Sequence, residues 1–167
     1  MLTAWIALTP STLDSGCLCF LPKTHSKQLD HIEKPQEHNM LSLGQEIADQ
    51  NFIKTRLSTK VNADLLPGQM SLHHSYMVHA SGSNKTKTPR IGLAIRYIAG
   101  EVRKESHYPY PSKERVTLVS GTKEHDFFDY EHEPFEDFSD DAFREHKLSM
   151  EREKENYFFG KSTKSFK

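Results

Sequence analysis

The stretch from Pro67 to Tyr97 constrains this chain most. Pro67-Gly68 is a turn signal, and a run ending in His79-Ala80-Ser81 follows it. A loop of Gly, Ser, Asn, Lys and Thr leads to Arg90. From there Ile91, Leu93, Ile95 and Tyr97 alternate with Arg90, Gly92, Ala94 and Arg96. Period two means a strand. One face is large and apolar, fit to pack against a neighbouring layer. The other carries small residues and two guanidinium groups, as a strand lining a polar cavity would. A His closing one strand and an Arg opening the next can share that cavity. Imidazole suits a first-row metal, and the Arg fork suits a carboxylate. On residue chemistry alone, a hairpin with a surface His and a surface Arg is the simpler reading.

More of the chain bears on the choice. His79-x-Ser81-x-x-Asn84, then Arg90 and an apolar strand ending Arg96-Tyr97, form one block. Upstream stand Trp5-Ile6-Ala7-Leu8, Gly16-Cys17-Leu18 and Pro22-Lys23-Thr24-His25. In this order the blocks resemble the C-terminal half of the phytanoyl-CoA dioxygenase family, over roughly the first hundred residues. The match departs at Lys23, where the family has Gly, and at Thr24, where Ser is common. The resemblance implies a mainly β fold, part of a double-stranded β-helix of the jelly-roll or cupin kind. It implies Fe(II) held by two His and one carboxylate, and 2-oxoglutarate as co-substrate. His79 matches the distal iron ligand and Arg90 the clamp for the far carboxylate. Ser81 and Trp5 match positions beside the co-substrate. The implied reaction is hydroxylation of a small organic substrate; some relatives halogenate instead.

The family's first iron-ligand motif, His-x-Asp, has no counterpart before Trp5. The His-x-acid triplet His31-Ile32-Glu33 comes after the Pro-x-x-His block, out of order, and reads as a polar loop. The chain therefore reads as a truncated oxygenase with one iron ligand of three, weakly active or inactive by itself. The alternatives are a non-catalytic half-barrel that binds or interacts, and a subunit completed by another chain.

Bulk properties agree with a polar, partial domain. The hydrophobic fraction is 35% and the mean hydropathy -0.70. A net charge of -1 gives no argument for nucleic acid or an anionic membrane. No apolar run is long enough to span a bilayer. With neither a signal-peptide pattern nor a peroxisomal ending, a cytoplasmic protein is the default expectation. Unpaired sheet edges in a partial barrel would offer a route to self-association. Cys17 and Cys19 read as small buried or half-buried side chains, since neighbours two apart on a strand close a disulfide poorly.

Three regions follow: 1–100 as barrel, 101–138 as a proline-rich then acidic-aromatic extension, and 139–167 as a helix with a basic tail. Strands are expected at Leu2 to Leu8, Gly16 to Leu21, Val61 to Leu66 and Val116 to Val119. Lys23 to Gln45, with His25, His31 and His38, lacks periodicity. Gln45 to Leu57 suits a short helix or an irregular strand. By odd and even count His73, not His74, shares a face with His79. Phe127, Phe128 and Phe135 are expected to lie on the domain surface as an ordered tail. Ser139 or Asp140 caps a helix running to about Phe158, with Gly160 as its end. Phe143, Met150 and Tyr157 form its narrow apolar stripe, expected to dock.

Overall fold

The computed structural model describes residues 1–33, 45–103, 112–123 and 125–158. His38, the Tyr108-Pro109-Tyr110-Pro111 run, the Tyr157 side chain, Gly160 and the basic tail lie outside the described residues. The chain divides into two compact units, Met1–Ile98 and Ala99–Lys167.

The first unit is mainly β. Its strands are β1 (Leu2–Ala7), β2 (Leu18–Phe20), β3 (His31–Glu33), β4 (Gln45–Ile47), β5 (Val61–Asn62), β6 (Met70–His74), β7 (His79–Ser81) and β8 (Gly92–Tyr97). One antiparallel sheet has the order β6-β1-β8, another β5-β2-β7. The hairpin β3-β4 stands apart, a regular element where the sequence showed no periodicity. Gln50–Arg56 is the short helix α1, capped by the Asp49 carboxylate, which accepts from the Phe52 N–H at 2.8 Å. Strand β5 stops at Asn62, shorter than its apolar run suggested, and β2 begins only at Leu18.

The registers sort each residue of the first sheet to a face. Thr3 lies opposite His73 and Arg96, and Trp5 opposite Ser71 and Ala94. These side chains share one face. Leu2, Ala4 and Ile6 share the other with Met70, Leu72, Leu93, Ile95 and Tyr97. The alternation predicted for β8 is thus present. Its apolar face, expected to meet a neighbouring layer, is instead open: Leu72 is 62% exposed and Leu93 48%. The buried side chains are small ones such as Ala4, Ala7 and Cys17, with Leu21.

Two backbone positions take a left-handed conformation that explains their neighbourhood. Gly16 has φ +75, and a Cβ there would stand 2.4 Å from the Gly82 carbonyl oxygen. Lys23 has φ 62. The position, where the resemblance led one to expect Gly, is therefore one at which a side chain costs energy. Beside it the Thr24 hydroxyl donates to the Leu21 carbonyl at 2.8 Å and accepts from the Val78 N–H at 2.9 Å. That bond ties the Pro22 turn to the residue before His79.

The second unit holds β9 (Arg115–Val116), β10 (Asp129–Tyr130) and α2 (Asp140–Phe158). The two strands pair in parallel. Helix α2 starts where its cap predicted: the Ser139 hydroxyl accepts from the Ala142 N–H at 3.2 Å. The face it buries is polar, contrary to expectation. Arg115 donates to Glu145, the Ser149 hydroxyl to Glu131, and Arg152 to Asp129. The expected stripe is open instead, with Phe143 59% and Met150 51% exposed. Ion pairs from β9 and β10 select the other face of a helix whose apolar stripe is too narrow to compete. Phe127 and Phe128 are half-buried, but Phe135 stands clear of the surface at 101% exposure.

Burial pushes the Glu131 carboxyl up. The hydroxyls of Ser149 and Thr117 and the Arg115 charge outweigh it and hold the group below its usual range. A carboxylate depressed in the fold contributes stability above its ordinary value, about 4.3, and loses it as pH falls through the folded value. Thermal melts should therefore show the second unit weakening on acidification below that point, and Glu131→Gln should flatten the dependence. For the first unit, Lys23→Gly should hold or raise the melting midpoint, by up to about 1 kcal/mol of stability. A clear loss would mean that the Lys23 side chain holds the turn.

Candidate functional site

Four sequence-predicted residues come together at one end of the first unit. Trp5 sits in the middle of β1 with its indole leaning over β8. A Cβ on Gly92 would stand 2.1 Å from that ring, so only glycine leaves it room. Arg90 lies just before β8. The Leu8 and Thr9 N–H groups both donate to the Ile91 carbonyl, and the Ile91 N–H donates to the Thr9 hydroxyl at 2.8 Å. Arg90 is thereby held against the end of β1. Its guanidinium carbon is 5.2 Å from the Trp5 ring centroid, within cation–π range. Its Nη2 points to the Ser81 hydroxyl at 3.5 Å.

Ser81 and His79 are alternate residues of β7 and share a face. The loop from β7 to Arg90 is fixed by Asn84, whose side-chain oxygen accepts from the Thr86 N–H at 2.8 Å and whose amide donates to the Thr88 carbonyl at 2.8 Å. The Asn of the His-x-Ser-x-x-Asn block therefore has a structural role, setting the distance from β7 to Arg90.

His79 is exposed, and its Nδ1 lies 2.7 Å from the Met77 carbonyl oxygen. A carbonyl only accepts, so Nδ1 carries the proton and Nε2 presents a lone pair. This is the tautomer a metal-binding histidine needs, oriented by its other nitrogen. The Phe20 ring, opposite His79 across β2 and β7, lies 6.0 Å from the His79 ring and 4.8 Å from His73. The His73 and His79 centroids are 5.3 Å apart. The face of β1 bearing Trp5 thus meets the face of β2 bearing Phe20, and the site lies between the two sheets.

His73 is buried, and its Nδ1 has no hydrogen-bond partner. Burial, and then the nearness of the His79 imidazole, push its pKa down, which favours the neutral ring. Ser71, opposite Trp5 on the same wall, also has a buried hydroxyl without a partner. Unpartnered buried polar atoms are uncommon, and each calls for an explanation. The parity count put His73 with His79. What joins them is the facing of two sheets, not one strand face. Thr24, Phe20 and Ser71 were missed. Phe20 and Ser71 could have been found from alternation with Leu18 and His73.

His31 and Glu33 lie in β3 of the separate hairpin. Among the described residues no three of His, Cys, Asp and Glu gather where they could hold a metal. Cys17 and Cys19 are both free thiols. Burial, followed by the Asp64 charge, pushes the Cys17 thiol up, which makes it a packing group rather than a thiolate ligand.

Comparison with known proteins shows the family. The model of the phytanoyl-CoA dioxygenase (PhyH) family matches residues 1–92. The chain belongs to that family. Over 107 residues it is 30% identical to a methylphosphonate hydroxylase of Gimesia maris, covering 62% of this chain and 36% of the relative. Over 95 residues it is 28% identical to a Caenorhabditis elegans protein named "Probable phytanoyl-CoA dioxygenase", covering 56% of this chain and 29% of that one. Among solved structures it resembles the non-heme monooxygenase ThoJ in its apo form, with a TM-score of 0.69 and 30% identity, over 93% of this chain and 53% of that one. A ThoJ–nickel complex matches with a TM-score of 0.65 and 26% identity, over 93% of this chain and 51% of that one. The chain thus spans about a third of the curated relatives' length and about half of the ThoJ chain.

Proposed function

We propose that this chain carries the co-substrate clamp and one metal ligand of an Fe(II)/2-oxoglutarate-dependent oxygenase that hydroxylates a small organic substrate. The observation that carries the reading is the convergence of Arg90, Trp5 and Ser81, with His79 on the same face of β7 as Ser81 and its Nδ1 committed to Met77. Each group has a distinct part in binding. Arg90 offers two parallel N–H groups to the far carboxylate of 2-oxoglutarate, which fixes its orientation as well as its charge. The Ser81 hydroxyl adds a third donor, and the Trp5 indole forms an apolar wall beside the carbon chain. His79 supplies one metal bond through Nε2.

Iron, when bound, would supply oxygen activation coupled to decarboxylation of 2-oxoglutarate. The protein's part is to bind and orient. The His79 Nδ1–H bond to Met77 holds the ring plane, and the Asn84 loop holds Arg90 at its distance from that ring. The other metal bonds of a two-His, one-carboxylate site come from outside this group. Phosphonate substrates, as in the Gimesia maris relative's name, are one class that such a site admits.

Calorimetry tests the reading with nickel as a redox-inert stand-in for iron. The nickel-loaded chain should bind 2-oxoglutarate. Arg90→Lys should weaken binding by roughly tenfold, since a point charge cannot reproduce the fork. His79→Ala should remove the nickel dependence. Unchanged affinity in Arg90→Lys would overturn the clamp assignment.

A further inference from the structure

Two imidazoles lie side by side where the matched block carries only one metal ligand. We infer that His73 and His79 together form a two-imidazole site for a first-row divalent metal, with His73 a ligand in its own right. The inference rests on the reading of His79 as a metal ligand and extends it to a residue outside the matched motif.

The geometry comes first. A metal–nitrogen bond of about 2.0–2.1 Å puts a ring centroid about 3.2 Å from the metal, so two rings on one ion have centroids about 4.5–5.5 Å apart for bond angles from right to trigonal. The observed separation is 5.3 Å, with the ring planes inclined at 52°. Each ring also has a nitrogen to spare. The Nδ1 of His79 is committed to Met77, which leaves Nε2. His73 keeps a buried Nδ1 without a protein partner. Both rings lie against Phe20, and His73 is held by β6, where it pairs opposite Thr3 of β1. A braced pair needs little reorganisation to accept an ion.

A second histidine pair provides the contrast. The His25 and His74 rings are 5.8 Å apart. There the His74 Nδ1 already accepts from the Tyr76 N–H at 3.1 Å, and His25 is exposed. Among the described residues, that pair has no buried nitrogen without a partner. Softness favours neutral imidazoles for zinc, nickel, copper or iron over calcium or magnesium.

The test uses zinc, which is redox-inert, and the full chain labelled with nitrogen-15. One equivalent of zinc should shift the ring-nitrogen resonances of His73 and His79 along a single binding curve. His73→Gln should weaken zinc binding by roughly tenfold or more, and His74→Gln should leave it unchanged. If zinc moves only the His79 resonances, or if folded His73→Gln binds zinc as the parent does, the two-imidazole site is wrong and the reading of His79 stands. If neither ring responds while other histidines do, both assignments fail. Should His73→Gln not fold, as judged by far-UV dichroism, the ring shifts of the unaltered chain still decide the matter.

Discussion

The Trp5 indole occupies the space in which Gly92 would carry a side chain, and the rest of the site is arranged about that fit. The ring makes one wall. Because it leans toward β8, Arg90 can lie against it while the backbone of Ile91 is bonded to Leu8 and Thr9. With the first sheet fixed in this way, its inner face carries Thr3, Ser71 and His73 toward Phe20 and His79 of the second sheet. A side chain at Gly92 would displace the indole, and with it the surface on which the guanidinium rests. The site is thus a property of two facing sheets and one missing Cβ.

Much of this was legible in the residues. The alternation from Ile91 to Tyr97 gave the faces of β8, because a half-polar strand repeats every second residue. Order and spacing of the blocks gave the family, and through it Trp5, Ser81 and Arg90. The departure at Lys23 was visible too, although only the backbone shows why the position suits glycine: it has a positive φ. The contact between His73 and His79 could be half read. Parity named the right histidine of the pair, but sheet-on-sheet packing brings the rings together, and packing of distant segments leaves no local pattern.

The failures have physical causes as well. Hydrophobic periodicity predicts which face could be buried, not whether anything is there to bury it. Leu72 and Leu93 obey the pattern and remain open. On α2 the same reasoning chose Phe143 and Met150, whereas Arg115, Asp129 and Glu131 hold the opposite, polar face. Charge partners far away in sequence are not announced by any local repeat. The hairpin β3-β4 escaped because a polar strand three residues long has no period to detect.

Trp5 is the sole tryptophan of the chain, so its fluorescence reports directly on the central claim that 2-oxoglutarate binds to Arg90 beside this indole. In the presence of nickel, titration with 2-oxoglutarate should change Trp5 emission along a saturable curve, and Arg90→Gln should abolish that change while leaving the far-UV spectrum intact. A folded Arg90→Gln chain with the parent's titration curve would contradict the account.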